Sequence, residues 1–315
     1  MKRLVLKRLP QTVPCTYIDS ERPELGLRSC GEMIPFRVSG KCPACGQRQK
    51  RALATEPPAG ARIIHDNALI VDEDSQEIVA VQILGETTLA ARIGQSLRRF
   101  RGWTDMTKNL TSQSRMSGIA VGHTTFGFSA PAPLRRRYAC SRCNFDTMFP
   151  EIASLVYGYV ETAERKFRQH APDAYAHTAQ AVMGAVKPAW LIKGTPWTSG
   201  IINNTAALPY HMDSGNIAGS WSAMLSARND IEGGYLHLVD YDVYLAVPHG
   251  SISIFDGQSV LHGVTPFQIS GGDPYRFTLV CYAKSGMKVC SADPKDEPKR
   301  GSLHAQRLAE AKFES

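Results

Sequence analysis

The sequence predicts an α+β chain that is mainly β, with a helical middle and a β-rich C-terminal half that reads as a barrel or sandwich. Three observations carry this. From about Trp190 onward, short β-rich runs alternate with Gly, Pro, Asn and Asp turns, the texture of an all-β barrel or sandwich. Two longer stretches before it, Glu151–Gln169 and Asp173–Val186, have helical character, the second following Pro172. The first 60 residues are loop-rich and hold four of the eight cysteines.

Taken in chain order, Arg62–Val71 and Glu77–Leu84 alternate as a hairpin joined by the polar Asp-Glu-Asp-Ser turn. Thr87–Phe100 reads as a helix with a basic C-terminal end. The β-rich runs are GIINNT, GSWSAMLSA, GGYLHLVD, YDVYLAV, GSISIFDG and YRFTLVCYA. Soft segments at Thr55–Ala61, Ser129–Pro133 and Asp293–Arg300 are turns or linkers by composition. Ser302–Lys312 reads as a surface helix.

The charge balance narrows the partners. The chain of 315 residues carries a formal net charge of +7, with a pI of about 9.0. This favours acidic partners, nucleic acid first. The distribution is sharper than the sum: Leu84–Cys143 has ten Lys/Arg against two Asp/Glu, including Arg98-Arg99-Phe100-Arg101 and Arg135-Arg136-Arg137. Two solvated basic faces are the plainer alternative. No run of 18 apolar residues occurs, so no membrane-spanning helix is expected. Lys7 and Arg8 interrupt the N-terminal apolar stretch, which therefore fails as a secretory signal. An intracellular location is expected, nuclear or nucleoid-associated or cytoplasmic according to the source, as is a monomer.

The chemistry is concentrated in the β-rich half. In Pro209-Tyr210-His211-Met212-Asp213, a His and an Asp stand at i and i+2, and on a strand both point to one face. His262 follows on a late strand. Two His and one carboxylate on one face make the facial triad of non-haem iron(II) oxygenases, which leaves three positions open. Fourteen residues after His262 come Arg276-Phe277-Thr278 on the last strand. Arg276 and Thr278 share a face, and a guanidinium fork beside a hydroxyl suits a carboxylate such as the distal one of 2-oxoglutarate. The plainer alternative for Arg276 is a strand-edge salt bridge.

These residues, together with His211-Met-Asp-Ser-Gly-Asn216, Gly219-Ser-Trp-Ser-Ala-Met-Leu, Pro248-His249-Gly250, Leu261-His262-Gly-Val-Thr-Pro266 and Arg276-Phe-Thr-Leu-Val-Cys-Tyr282, resemble the TET/JBP family of nucleic-acid-base dioxygenases. The resemblance runs over roughly Leu208–Lys284, and the first 190 residues show none. It implies a double-stranded β-helix (jelly-roll) core flanked by helices. It implies iron(II) held by His211, Asp213 and His262, 2-oxoglutarate held by Arg276 and Thr278, and dioxygen as co-substrate. It further implies oxidation of 5-methylcytosine in DNA to 5-hydroxymethylcytosine or beyond, on a base flipped out of the duplex. The Asn216 position contacts the target base in the family and the Tyr282 position stacks on it. A turn residue and ordinary strand packing are their plainer readings. Where animal TET sequences carry a base-contacting His, this chain has Lys284, which only donates, so thymine stands as the alternative target. A non-nucleic-acid substrate, or a DNA-binding module on an inactive barrel, are the competing readings. The first is opposed by the basic N-terminal half and the second by the intact His211/Asp213/His262/Arg276 set.

Cys42-Pro-Ala-Cys45 and Cys140-Ser-Arg-Cys143 each resemble a zinc knuckle. Together they are expected to complete one structural zinc site, with Cys15 and Cys30 as rival ligands and Cys15, Cys30, Cys42 and Cys45 as the alternative set. Reduced structural thiols are the alternative. Cys281 should point opposite to Tyr282, into the core. His237 and His249 are expected to fill structure. The resulting division is 1–60 cysteine-rich, 61–149 basic α+β completing the zinc site and contacting DNA, 150–290 double-stranded β-helix core with supporting helices, and 291–315 a charged tail.

Overall fold

The computed structural model describes residues 1–297 except 20, 23–26, 37–39, 51, 53, 106–121, 134–137 and 206. The Arg135–Arg137 cluster and the expected helix at Ser302–Lys312 lie outside the described residues.

The elements that position the site are strands β1 (Lys2–Leu6), β2 (Arg62–Ile64), β3 (Ala68–Asp72) and β4 (Ile78–Ile83), helix α1 (Thr87–Arg99), and β5 (Gly122–Ser129). Helices α2 (Pro150–His170) and α3 (Pro172–Met183) come next. The β-rich half then supplies β6 (Ser199–Asn204), β7 (Leu208–His211), β8 (Ser222–Asn229), β9 (Leu236–Leu238), β10 (Val243–Leu245), β11 (Ile252–Phe255), β12 (His262–Val264) and β13 (Tyr275–Tyr282).

Two sheets face each other. The larger runs β1-β3-β4-β11-β8-β13-β6-β5 and is closed at its far edge by Ser141–Arg142. The smaller runs β7-β12-β9-β10-β2. A sandwich of this kind buries one face of each sheet against the other. Between the sheets lie Ile70, Met224, Leu236, Leu238, Leu245, Phe255 and Val260. The outer face of the large sheet is covered by α1 and α2, which bury Ile93, Leu97, Tyr159, Val160 and Phe167 against Phe126, Leu225, Ile254, Phe277 and Leu279. Both α2 and α3 begin with proline at the first helical position, where the missing N–H has no intrahelical partner to lose. Arg168 and His170 sit in the last turn of α2, complementing its dipole.

The predicted hairpin is split. Only Ala68–Asp72 pairs with Ile78–Ile83, whereas Arg62–Ile64 joins the other sheet in parallel with β10. The cause is the buried Gln82, whose amide donates to the carbonyls of Ile64 and Asp66 at 2.8 and 3.0 Å and turns the chain between sheets. Among the strands that position the site, β5 and β1 went unpredicted, the latter at the sheet edge parallel to β3.

Candidate active site

The smaller sheet brings the two expected histidines face to face. His211 ends β7 and His262 opens β12, and the two are direct cross-strand partners. Their rings lie 4.3 Å apart between centroids. Asp213 lies just past the end of β7. There its backbone N–H donates to Gly257 O at 2.7 Å, which holds the residue beyond the end of the ladder. Asp213 Oδ1 is 3.6 Å from His211 Nε2 and 3.9 Å from His262 Nε2.

Each imidazole is oriented by its own backbone. His211 Nδ1 meets Pro209 O at 2.8 Å and His262 Nδ1 meets Val260 O at 2.9 Å. A carbonyl only accepts, so both Nδ1 atoms carry the proton and both Nε2 lone pairs face Asp213. Burial and the neighbouring His211 push His262 below the ordinary histidine range, which favours the neutral ligand form. Pro209 is compatible with strand β7 because the ladder is irregular between Leu208 and His211.

The second carboxylate oxygen of Asp213 is held separately. Ser222 Oγ donates to Oδ2 at 3.2 Å, and Asn216 Nδ2 lies 3.5 Å from the same atom. One oxygen is thereby fixed while the other faces the imidazoles. Gly257 closes behind it: a Cβ there would stand 2.4 Å from Asp213 Oδ2. Two imidazole nitrogens and one carboxylate oxygen within 4.8 Å of one another form a donor set that fits an iron(II) ion and leaves coordination positions open.

Arg276 and Thr278 lie on β13 of the larger sheet. Phe277, Leu279 and Cys281 on that strand face the helices, so Arg276, Thr278, Val280 and Tyr282 face the interior by alternation. Arg276 is 1% exposed. Its Nη2 donates to Gly234 O at 3.1 Å and its guanidinium lies over the Phe267 ring. Gly234 permits this approach, since a Cβ there would come within 2.9 Å of Arg276 Nε. Directly across the ladder stands Arg228. Burial, with the second guanidinium nearby, lowers Arg276 to about 9. Asn203 Nδ2 is 3.5 Å from Thr278 Oγ1, and the buried hydroxyl of Ser226, the cross-strand partner of Thr278, has no hydrogen-bond partner among the described residues. Buried polar groups are normally satisfied. Two inward cations and an orphaned hydroxyl therefore fit a small dicarboxylate such as 2-oxoglutarate.

The three positions read as base contacts are gathered at one end of this interior. Asn216 and Lys284 form a β-bridge. Ile217 N–H donates to Ala283 O and Ser285 N–H to Gly215 O, at 2.7 and 2.9 Å, so the loop after Asp213 is stitched to the chain after Tyr282. The Asn216 amide nitrogen also lies 3.2 Å from Ser222 Oγ. That nitrogen supports Asp213, which leaves the amide oxygen as the atom able to meet a ligand. Ser222, Gly257, Gly234 and Arg228 were not singled out from the sequence, because only cross-strand register reveals them.

The expected zinc set is not brought together. Cys140 is disulfide-bonded to Cys290, and Cys143 Sγ sits against Ser129 Oγ at 3.3 Å. The C-terminal segment folds back over the end of α3, with Trp190 Nε1 donating to Ser291 O at 2.7 Å and Glu297 accepting from the Cys140 N–H at 2.8 Å. This puts Cys290 beside a cysteine 150 residues away, a pairing without a sequence signal. Cys42 and Cys45 instead meet Cys15 and Cys30, the rival ligands. Cys281 is fully buried, as expected. His237 and His249 make structural contacts: His237 bonds Tyr210 Oη at 2.8 Å, and His249 accepts from the Arg228 N–H at 3.1 Å.

Residues 153–285 match the family model described as the oxygenase domain of the 2OGFeDO superfamily, Tet_JBP. The match reaches upstream of Leu208 into α2 and α3, where the sequence alone showed no likeness. Thymine dioxygenase JBP1 of Leishmania major is 24% identical over 235 residues, 74% of this chain and 26% of that protein. The bifunctional helicase and thymine dioxygenase JBP2 of Trypanosoma brucei brucei is 23% identical over 128 residues, 41% of this chain and 11% of the relative. The chain thus spans about a tenth to a quarter of these relatives. Among solved structures, NgTET1 in complex with 5mC DNA shares the fold with a TM-score of 0.51 at 13% identity, covering 73% of this chain and 84% of that one. The strands that carry His211, His262 and Arg276, and Asp213 just past one of them, therefore lie within the stretch of this chain that is similar to the Tet_JBP oxygenase domain.

Proposed function

We propose that this chain oxidises the 5-methyl group of a pyrimidine base in DNA, with 5-methylcytosine as substrate and 5-hydroxymethylcytosine as first product. What supports this reading is the His211/Asp213/His262 donor set, with the buried Arg276 and Thr278 on the larger sheet and the bridge between Asn216 and Lys284. In the proposed roles, His211, Asp213 and His262 hold iron(II), and Arg276 and Thr278 hold the distal carboxylate of 2-oxoglutarate. The bound iron and co-substrate supply the oxidising chemistry when dioxygen is present. The protein orients the target and excludes water. Asn216 accepts from the base edge through its amide oxygen, Tyr282 offers an aromatic face to a flipped base, and Lys284 donates to a base acceptor or a phosphate.

Thymine is the second reading. The JBP relatives are named thymine dioxygenases, and a donating Lys284 paired with an accepting Asn216 also complements the O4 and N3–H of thymine. Duplexes carrying 5-methylcytosine or thymine, incubated with the chain, iron(II) and 2-oxoglutarate, separate the two by nucleoside mass spectrometry. 5-Hydroxymethylcytosine is the expected product. 5-Hydroxymethyluracil alone would replace the cytosine reading with the thymine one, and loss of methyl groups from neither base would overturn both.

A further inference from the structure

Away from the oxygenase centre, four cysteine sulfurs from three segments of the N-terminal region converge on one point. Cys15 Sγ lies 3.8 Å from Cys45 Sγ and Cys30 Sγ lies 3.9 Å from Cys42 Sγ. All four are unbonded and lie within 4.8 Å of one another. A tetrahedral zinc site with Zn–S bonds of about 2.3 Å has sulfur–sulfur edges of about 3.8 Å. The two closest pairs match that edge.

The local backbone is built for such a site. Cys42-Pro-Ala-Cys45-Gly46 forms a tight knuckle: Gly46 N–H donates to Cys42 O at 2.9 Å and Cys42 N–H to Gln47 O at 2.8 Å. Gly46 adopts φ +71°, a left-handed conformation that favours glycine. Lys41 and Arg48 bridge at its base. The N–H groups of Ala44 and Cys45 point at Cys42 Sγ, and that of Gln47 at Cys45 Sγ. The remaining ligands come from the ends of two short ladders, Thr12–Pro14 with Met33–Pro35 and Tyr17–Ile18 with Leu27–Arg28. Ladders of two and three residues cannot hold this region together alone.

The cluster is also joined to the oxygenase centre. Cys15 and Cys42 share a packed group with Ala52, Ala54, Tyr210 and Leu261, and Met212 packs against it. Tyr210 N–H donates to Ala52 O at 2.8 Å. Tyr210 precedes His211, and Leu261 precedes His262.

We propose that Cys15, Cys30, Cys42 and Cys45 form a structural tetrathiolate zinc(II) site, and that the module it closes braces the two strands bearing His211 and His262. Soft thiolate donors in tetrahedral array select zinc over the harder iron(II) of the His/Asp set. The site is independent of the oxygenase reading, since zinc occupancy requires no turnover.

The full chain, purified without chelator, is expected to contain about one zinc per chain by elemental analysis. Titration with a mercurial should release that zinc as the four thiols react, and cobalt(II) in its place should show intense sulfur-to-cobalt charge-transfer absorption. Cys30→Ser and Cys45→Ser should lose the zinc while Cys143→Ser and Cys281→Ser keep it. If the ligand variants fail to fold, the mercurial and cobalt measurements on the unaltered chain still decide. Zinc removal should weaken iron(II) binding at the His/Asp set by about tenfold or more. Zinc-free protein with Cys15–Cys45 or Cys30–Cys42 disulfides in peptide mass spectra would overturn the site. Unchanged iron(II) affinity after zinc removal would overturn the bracing.

Discussion

At the scale of single residues, the centre depends as much on what holds Asp213 as on Asp213 itself. A carboxylate with both oxygens unrestrained samples several orientations. Here Ser222, from the opposite sheet, and Asn216, from the following turn, engage Oδ2, and Gly257 accepts from the Asp213 backbone. The group is thereby oriented before any metal arrives, which lowers the ordering cost of binding. Ser222→Ala removes the shorter of the two side-chain contacts to Oδ2 without introducing bulk. It should weaken iron(II) affinity about tenfold, within the range for groups that orient metal ligands. Calorimetric titration with iron(II) under anaerobic conditions measures it. Asp213→Ala should abolish binding in the same assay, and a Ser222→Ala affinity equal to that of the unaltered chain would refute the restraint.

At the scale of elements, what the sequence revealed follows from periodicity. β13 was legible because its two-residue alternation separates Arg276, Thr278 and Tyr282 from Phe277, Leu279 and Cys281 within one unbroken run. His211 and Asp213 were legible for the same reason, although the ladder ends at His211. Contacts between strands far apart in the chain were not legible. That Arg228 faces Arg276, that Gln82 diverts β2 into the other sheet, and that Cys140 meets Cys290 all depend on register and docking, which leave no local signature. The β11–β12 connection is a further case. It brings Gly257 against Asp213, and the reason for glycine there is close approach: a Cβ would lie 2.4 Å from Oδ2 and 3.0 Å from Cγ. Gly257→Ala should displace the carboxylate and reduce iron(II) affinity on the order of tenfold to a hundredfold. Far-ultraviolet circular dichroism should remain unchanged, because the position is in a turn. Retained affinity would mean that the turn relaxes and that glycine is not required.

At the scale of the whole molecule, both sheets must close around polar and ionisable side chains, and this ties folding stability to pH. Asp240 is fully buried on the small-sheet side. Its carboxylate binds Arg8 at 2.7 Å, Gln11 at 2.9 Å and the Leu261 N–H at 2.9 Å, so the N-terminal segment is tied to the strand of His262. His237 is buried in the same sheet, stacked on Tyr244 with ring centroids 4.0 Å apart. Burial lowers it to about 4, against the opposing pull of Asp242. A histidine whose folded value is depressed stays neutral in the native state while the unfolded chain takes up a proton. Its contribution is therefore complete above the unfolded value of about 6.5 and is lost as pH falls toward about 4. At about 1.4 kcal/mol per pKa unit, the loss is on the order of 3 kcal/mol over that window. Asp146, raised to about 6 by burial, works in the opposite sense: the stability of its neutral form is present in acid and is lost as pH rises through that value. His237→Gln, which keeps a polar partner for Tyr210, should flatten the fall in unfolding free energy between about pH 7 and about pH 4.5. Denaturant unfolding at both pH values measures this as the difference between variant and unaltered chain. The other titrating groups, the iron ligands among them, are common to both proteins and cancel in that difference. Parallel losses in the two would show that His237 takes up its proton in the folded state as readily as in the unfolded one, and that its burial between Tyr210 and Tyr244 is not what makes the molecule acid-sensitive.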